Sequence, residues 1–226
     1  MIHSPSELAG LPVFGTLAAA FLVAAGCATA ASRAVECPET VDRMVDLRTL
    51  DPAPVVEIRY ATRDNFTGEP LPGYEEPRAL LRPDAAEALG RVSRRLRAEG
   101  LGLKVWDAYR PRRASQAMVE WAGRTDNEWV VDQGYVAPES GHNRGATIDL
   151  TLIRLDTAEA LEMGTAYDEF TEAAHTANAS GKVLQNRMRL VQGMVAEGWE
   201  NYPLEWWHFS RPTRAQPMDV PLRCFP

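Results

Sequence analysis

Four short stretches of the chain alternate apolar and polar residues, and three longer ones repeat apolar residues at helical spacing. "VVEIRYA" (Val55–Ala61) alternates and is rich in β-branched residues, which predicts a strand. The following "DNFTGEPLPGYEEP" carries Gly68, Pro70, Pro72 and Gly73, so it reads as a loop. Pro83 and Asp84 open a helix with Ala85, Leu89, Val92 and Leu96 on one face, and Gly100 closes it. "LKVWDAY" (Leu103–Tyr109) predicts a second strand. Pro111 begins a second helix through Ala114, Ala117, Met118 and Trp121, stopped by Gly123. "GATIDLTLI" predicts a third strand, with Ile148, Leu150 and Leu152 on one side and Thr147, Asp149 and Thr151 on the other. A third helix is expected near Lys182–Glu197 with Leu184, Met188, Val191 and Val195 inward, and "WWHFS" (Trp206–Ser210) as the last strand. Strands and helices mix without strict βαβ alternation. That predicts an α+β fold, with helices packed on one side of a mainly antiparallel sheet.

Length and composition narrow the class. The chain has 226 residues, 45% of them hydrophobic, enough for one domain with its own core. A formal net charge of -7 lacks the basic footprint of a nucleic-acid binder. The N-terminus reads as a targeting segment. Leu11–Cys27 is apolar and uncharged, short for a spanning helix of about 20 residues, and ends in small residues as a secretory signal does. "VAAGC" looks like a bacterial lipoprotein cleavage box with Cys27 as the lipid-bearing residue. A simply cleaved signal and an uncleaved anchor stay open. The usual basic n-region is absent and Glu7 stands there instead, so a misassigned start, and with it a cytoplasmic protein, is the other alternative. The expected organisation is a leader over 1–27, a tether over 28–37 and one domain over 38–226. The product is an exported protein, touching a membrane only through a lipid on Cys27. Setting Cys27 aside leaves Cys37 and Cys224 at the two ends of the domain. In an oxidising compartment they either pair or remain two small buried thiols.

Candidate chemistry gathers around "ESGHNRGATIDLTL". Of the four histidines, His3 lies in the leader and His175 in a polar stretch that reads as surface. His142 and His208 remain, on separate segments. A catalytic zinc takes three protein ligands and keeps a fourth position for water. His142 and Asp149 offer two donors from one segment, and His208 offers the third. Glu205, three residues ahead of His208 and just after Pro203, is expected in a turn from which it reaches a water on the metal. Each spacing alone also fits ordinary surface residues at a strand edge. No CxxC and no GxSxG competes with the metal reading. Trp206 and Trp207 are expected to wall the site, on opposite faces of their strand.

These residues resemble a known family. "SGHNRGATIDLTL" looks like the Ser-x-His-x6-Asp signature of the zinc D,D-peptidases, and "EWWHF" looks like their Glu-x-x-His. "YATRDNFTG" (Tyr60–Gly68), "DAYRP" (Asp107–Pro111) and "EMGTAYDEF" (Glu162–Phe170) resemble the D-alanyl-D-alanine dipeptidases among them. The resemblance implies a Hedgehog/D,D-peptidase-like α+β fold and one Zn2+ on His142, Asp149 and His208. It makes Glu205 the catalytic acid/base and Arg110 the transition-state arginine, with Tyr60, Ser140 and Asp168 contacting a small dipeptide. Asp168 also reads as a helix N-cap before "EFTEAA". Two rival functions stay open: a murein carboxypeptidase acting on stem peptides, and a zinc-binding lipoprotein without catalysis.

Overall fold

The computed structural model describes residues 36–226, so the leader, Cys27 and residues 28–35 of the tether lie outside the described residues. The chain enters through β1 (Val45–Asp46), β2 (Val55–Val56) and β3 (Leu80–Leu81). Helix α1 (Pro83–Arg97) follows, with Pro at its first position, where the missing N–H costs nothing. β4 (Leu101–Asp107), α2 (Arg112–Arg124) and the single turn α3 (Trp129–Asp132) come next. β5 (Thr147–Arg154), α4 (Gly181–Val195), β6 (Glu200–Asn201) and β7 (His208–Ser210) complete the fold.

The main sheet runs β2-β4-β5-β7-β6, and β1 pairs with β3 in a separate two-stranded sheet. Only the β2–β4 pair is parallel; β4–β5, β5–β7 and β6–β7 are antiparallel. The expected α+β class with a mainly antiparallel sheet is therefore what forms. α1 and α4 pack on each other and on β4 and β5. β5 is buried on both faces, with Ile148, Leu150 and Leu152 fully buried on one and Thr147, Asp149 and Thr151 almost fully on the other. Each such aliphatic side chain contributes about 1.5–3 kcal/mol on burial.

Several expected elements differ in extent or facing. The alternation in Val55–Ala61 correctly marks Ile58 and Tyr60 as buried, but the strand ends at Val56. Turn bonds from Ala61 N to Ile58 O and from Thr62 N to Arg59 O replace the ladder, so Tyr60 enters from a 3-10 turn. The last strand covers only His208–Ser210. Trp206 and Trp207 precede it in a turn and are both buried, so strand parity does not separate them.

Helix α4 faces the core through Asn186, Arg187, Leu190, Gly193 and Met194, while Met188 and Val195 are 37% and 52% exposed. The apolar stripe pointed elsewhere because a buried cation, Arg187, sets this face. Its guanidinium donates to the carbonyls of Met163, His175 and Ala173 at 2.8–2.9 Å. Asp168 caps no helix: it sits at φ 60 in a loop, and Thr171 holds the N-cap position of the short 3-10 turn Glu172–Ala174, without a side-chain capping bond.

Cys37 and Cys224 form a disulfide across 187 residues of sequence. A closure of this length stabilises the domain by about 2–5 kcal/mol, chiefly by restricting the unfolded chain. The C-terminal strap it anchors lies behind the site: Tyr109 OH donates to Val220 O, and Met218 N donates to Asn143 O.

Candidate active site

Sheet register builds one end of a pocket. Asp149 on β5 stands opposite His208 on β7 and opposite Asp107 at the end of β4, where a bulge between Val105 and Asp107 resets the pairing. Directly opposed residues hold their Cβ atoms about 5 Å apart, so three polar side chains from three strands crowd one spot. His142 joins them from the 3-10 turn Gly141–Arg144. Ser140 caps this turn by accepting from His142 N at 3.2 Å, and Asn143 closes a capping box on Ser140 N at 2.8 Å. Gly145 ends the turn at φ 70, a left-handed position that suits glycine.

His142 Nε2 and His208 Nδ1 lie 3.3 and 3.0 Å from Asp149 Oδ1 and 3.4 Å from each other. One donor atom from each of the three residues falls within 4.8 Å of the others. Asp149 Oδ1 is buried with no hydrogen-bond partner, which leaves it free for a cation. His142 Nδ1 sits 2.6 Å from Ala108 O. It must donate to that carbonyl, and the Nε2 lone pair is thereby turned to the pocket. Burial lowers the His208 pKa, which favours the neutral donor form. Burial pushes Asp149 up, but the two imidazoles outweigh it and hold the carboxyl below its usual range. Two imidazoles and a carboxylate, closely grouped with one donor atom orphaned, fit zinc.

Glu205 sits in the turn after Pro203, as expected, its N–H donating to Tyr202 O at 3.0 Å. The side chain is buried with Oε2 3.5 Å from His208 Nδ1. Burial raises its pKa well above the usual carboxylate range; the charges of Asp149 and Asp168 add to this, and Arg110 opposes them. Arg110 is buried and held by Asp107 at 2.8–2.9 Å, with Nη2 3.8 Å from Asp149 Oδ2. Tyr74 OH donates to the other Asp107 oxygen at 2.5 Å.

The other end of the pocket holds Tyr60 and Asp168. Tyr60 OH lies 3.1 and 3.0 Å from the two Asp168 oxygens, and Arg110 lies 5.0 Å from the Tyr60 ring centroid. Burial raises the Asp168 pKa well above its usual value, with a further push from Asp149, against Tyr60 and Arg110. Phe66, Tyr135, Phe170 and Trp207 complete the walls of a cavity of about 150 Å³. All eight sequence-expected site residues line it. Ser140 does so while its hydroxyl is engaged in capping. His175 stays outside, half-buried, with Nε2 3.0 Å from Tyr135 OH.

Sequence reasoning missed Asp107, Tyr74 and Tyr167. Asp107 and Tyr167 lay inside the quoted blocks "DAYRP" and "EMGTAYDEF", where alternation and ligand chemistry gave no reason to single them out.

Two imidazoles, a carboxylate, a buried glutamate and a buried arginine around one small cavity of an α+β domain define a single-metal hydrolase. A family model described as D-ala-D-ala dipeptidase matches residues 40–226, and the chain belongs to that family, the M15 peptidases. It is 40% identical to the D-alanyl-D-alanine dipeptidase of Enterococcus faecium, over 68% of this chain and 83% of that one. The D-alanyl-D-alanine dipeptidase of Streptomyces coelicolor is 38% identical, over 74% and 91%. The one from Escherichia coli K12 is 38% identical, over 76% and 86%.

Proposed function

We propose that this protein hydrolyses the dipeptide D-alanyl-D-alanine to two molecules of D-alanine, with one zinc ion held by His142 Nε2, Asp149 Oδ1 and His208 Nδ1. The observation that carries the reading is the orphaned Asp149 Oδ1 between two imidazole nitrogens, beside a buried Glu205. The finer fold assignment, Hedgehog/D,D-peptidase-like, rests on the same family membership.

Zinc, when bound, polarises a carbonyl and makes water a competent nucleophile at neutral pH. Glu205 takes the proton from the attacking water and returns it to the leaving amine as the C–N bond breaks. Its Oε2, 3.5 Å from His208 Nδ1, stands within reach of a water beside the metal ligands. Arg110, fixed by Asp107, faces the oxygen on which negative charge develops, and a fixed guanidinium there favours the transition state over the ground state. Asp168 and Tyr60 receive the free ammonium of the substrate. An internal amide in that place would leave a buried carboxylate unpaired, at a cost of several kcal/mol. The small cavity and the Asp168 carboxylate at its end together favour a dipeptide over a stem peptide.

The compartment is a separate part of the proposal. The Cys37–Cys224 disulfide supports the exported reading, because such bonds persist in oxidising compartments. The leader over 1–27, the lipid on Cys27 and the tether belong to the same reading, and export favours scavenging of wall-derived dipeptide.

The test is metal-stripped protein reloaded with zinc and offered D-Ala-D-Ala, L-Ala-L-Ala and a pentapeptide ending in D-Ala-D-Ala. Zinc-dependent cleavage of the first alone is expected. Preferential cleavage of the pentapeptide would install the carboxypeptidase reading instead, and absence of all cleavage would leave only zinc binding.

A further inference from the structure

One buried phenol is left over once the roles above are assigned. Tyr167 OH lies 3.0 Å from Asp149 Oδ2 and 3.1 Å from Tyr60 OH. Its ring stacks on Trp106 at 4.7 Å, 19° from coplanar, and it is 9% exposed. The neighbouring Asp168 turns the chain at φ 60, which lets two successive residues, Tyr167 and Asp168, both reach polar partners of the pocket.

The two oxygens of Asp149 are treated differently. Oδ1 faces both imidazole nitrogens and has no hydrogen-bond partner, while Oδ2 accepts from Tyr167 and has Arg110 Nη2 3.8 Å away. A carboxylate with both oxygens free can turn to chelate a cation; one whose second oxygen is engaged offers a single donor. Between a carboxylate oxygen and a phenol oxygen at nearly equal distance, the charged acceptor draws the Tyr167 proton.

We propose that Tyr167 is a positioning residue for the metal: its hydroxyl pins Asp149 Oδ2, so that Asp149 meets the ion through Oδ1 alone. The same hydroxyl touches Tyr60, the phenol on Asp168, and so joins the metal end of the pocket to its amine end. Partners that orient a metal ligand in this way are worth about 10–100-fold in metal affinity. The inference rests on the zinc site proposed above, and its test reads zinc binding directly.

The experiment measures zinc affinity of the full chain by competition with a chromophoric chelator, for the unmodified protein, Tyr167→Phe and Tyr60→Phe. Tyr167→Phe keeps the stack on Trp106, so the metal-free variant should stay folded, with its unfolding temperature lowered for the lost hydrogen bond, while binding zinc about tenfold more weakly. Affinity retained within about twofold would overturn the inference. Tyr60→Phe leaves the Tyr167 proton on Asp149 and should keep its zinc affinity, which tests the idea even if Tyr167→Phe fails to fold. A tenfold loss in Tyr60→Phe would assign the effect to the phenol pair and not to Tyr167. An unmodified chain that binds no zinc sinks the proposed function itself; one that binds zinc with Tyr167→Phe unaffected sinks only this inference.

Discussion

The two ends of the pocket are built by different means. At the metal end, Asp149 and His208 are opposed residues of paired strands, and Asp107 closes the row on the third strand. Backbone ladder bonds set their spacing, and the turn carrying His142 is tied to this frame by Arg110 N donating to His142 O at 3.2 Å. At the amine end, Tyr60 and Asp168 come from a 3-10 turn and a loop. Side chains hold that loop in place. Arg187 binds the carbonyls of Met163, Ala173 and His175, and Asn186 donates to Glu162 O at 2.8 Å. Many shared backbone bonds make the first end tolerant of losing any one of them. The second rests more on side-chain bonds, with Arg187 alone holding three carbonyls, so its geometry is more open to one substitution.

The largest expected effect tests whether the chemistry lies wholly at the metal end. Glu205→Ala should bind zinc normally and lose about 10²–10⁴-fold in kcat, read by steady-state rates on D-Ala-D-Ala beside a metal titration. Near-normal turnover would remove the assigned base. Arg110→Ala should follow, with a loss of about 10²–10³-fold in kcat and a smaller change in KM; a change confined to KM would move Arg110 to substrate anchoring.

Arg187→Met tests the contrast itself. It removes the donor from three carbonyls, that of Met163 buried, and should cost about 2 kcal/mol in urea unfolding. In protein that remains folded, KM should rise while zinc affinity holds. A parallel loss of zinc would show that the two ends are not separately supported. Asp168→Asn sharpens the picture with a KM for the dipeptide raised about tenfold or more, as a charge-assisted bond to the ammonium is lost. An equal loss on N-blocked substrates would exclude ammonium capture.

The smallest effect lies outside the pocket, in the C-terminal strap. Burial raises the Asp219 pKa, but hydrogen bonds from Arg113 outweigh it and hold it below the usual value. Its contribution is therefore present above the unfolded carboxylate pKa, about 3.9, and lost as pH falls through the lowered native value. With 43% of the Asp219 side chain exposed, Arg113→Ala should cost only a few tenths of a kcal/mol at pH 7. At strongly acid pH the variant and the unmodified protein should unfold at equal urea concentration. A persistent difference there would trace the effect to packing.

Much of the metal end was legible in the chain. The alternation of "GATIDLTLI" put Asp149 on the polar face of a strand, and the scarcity of histidines left His142 and His208 as partners. Pro203 announced the turn that carries Glu205. Helix α4 was legible as a helix but not in its orientation, because hydrophobic spacing counts apolar side chains and Arg187 is buried for its hydrogen bonds. Trp206 and Trp207 were assigned to opposite faces on strand parity, which does not hold in the turn where they lie.

By itself the sequence determined the local identities: which stretches alternate, where proline and glycine stop them, and which few side chains can donate to a metal. Those follow from backbone sterics and side-chain chemistry, which act over a few residues. The tertiary structure alone decided that Asp149 lies opposite His208, that Arg187 holds the Asp168 loop, and that Tyr167 reaches Asp149. Register, buried hydrogen bonds and the turn of a loop join residues far apart in the chain, and their energies exist only once those residues have been brought into contact.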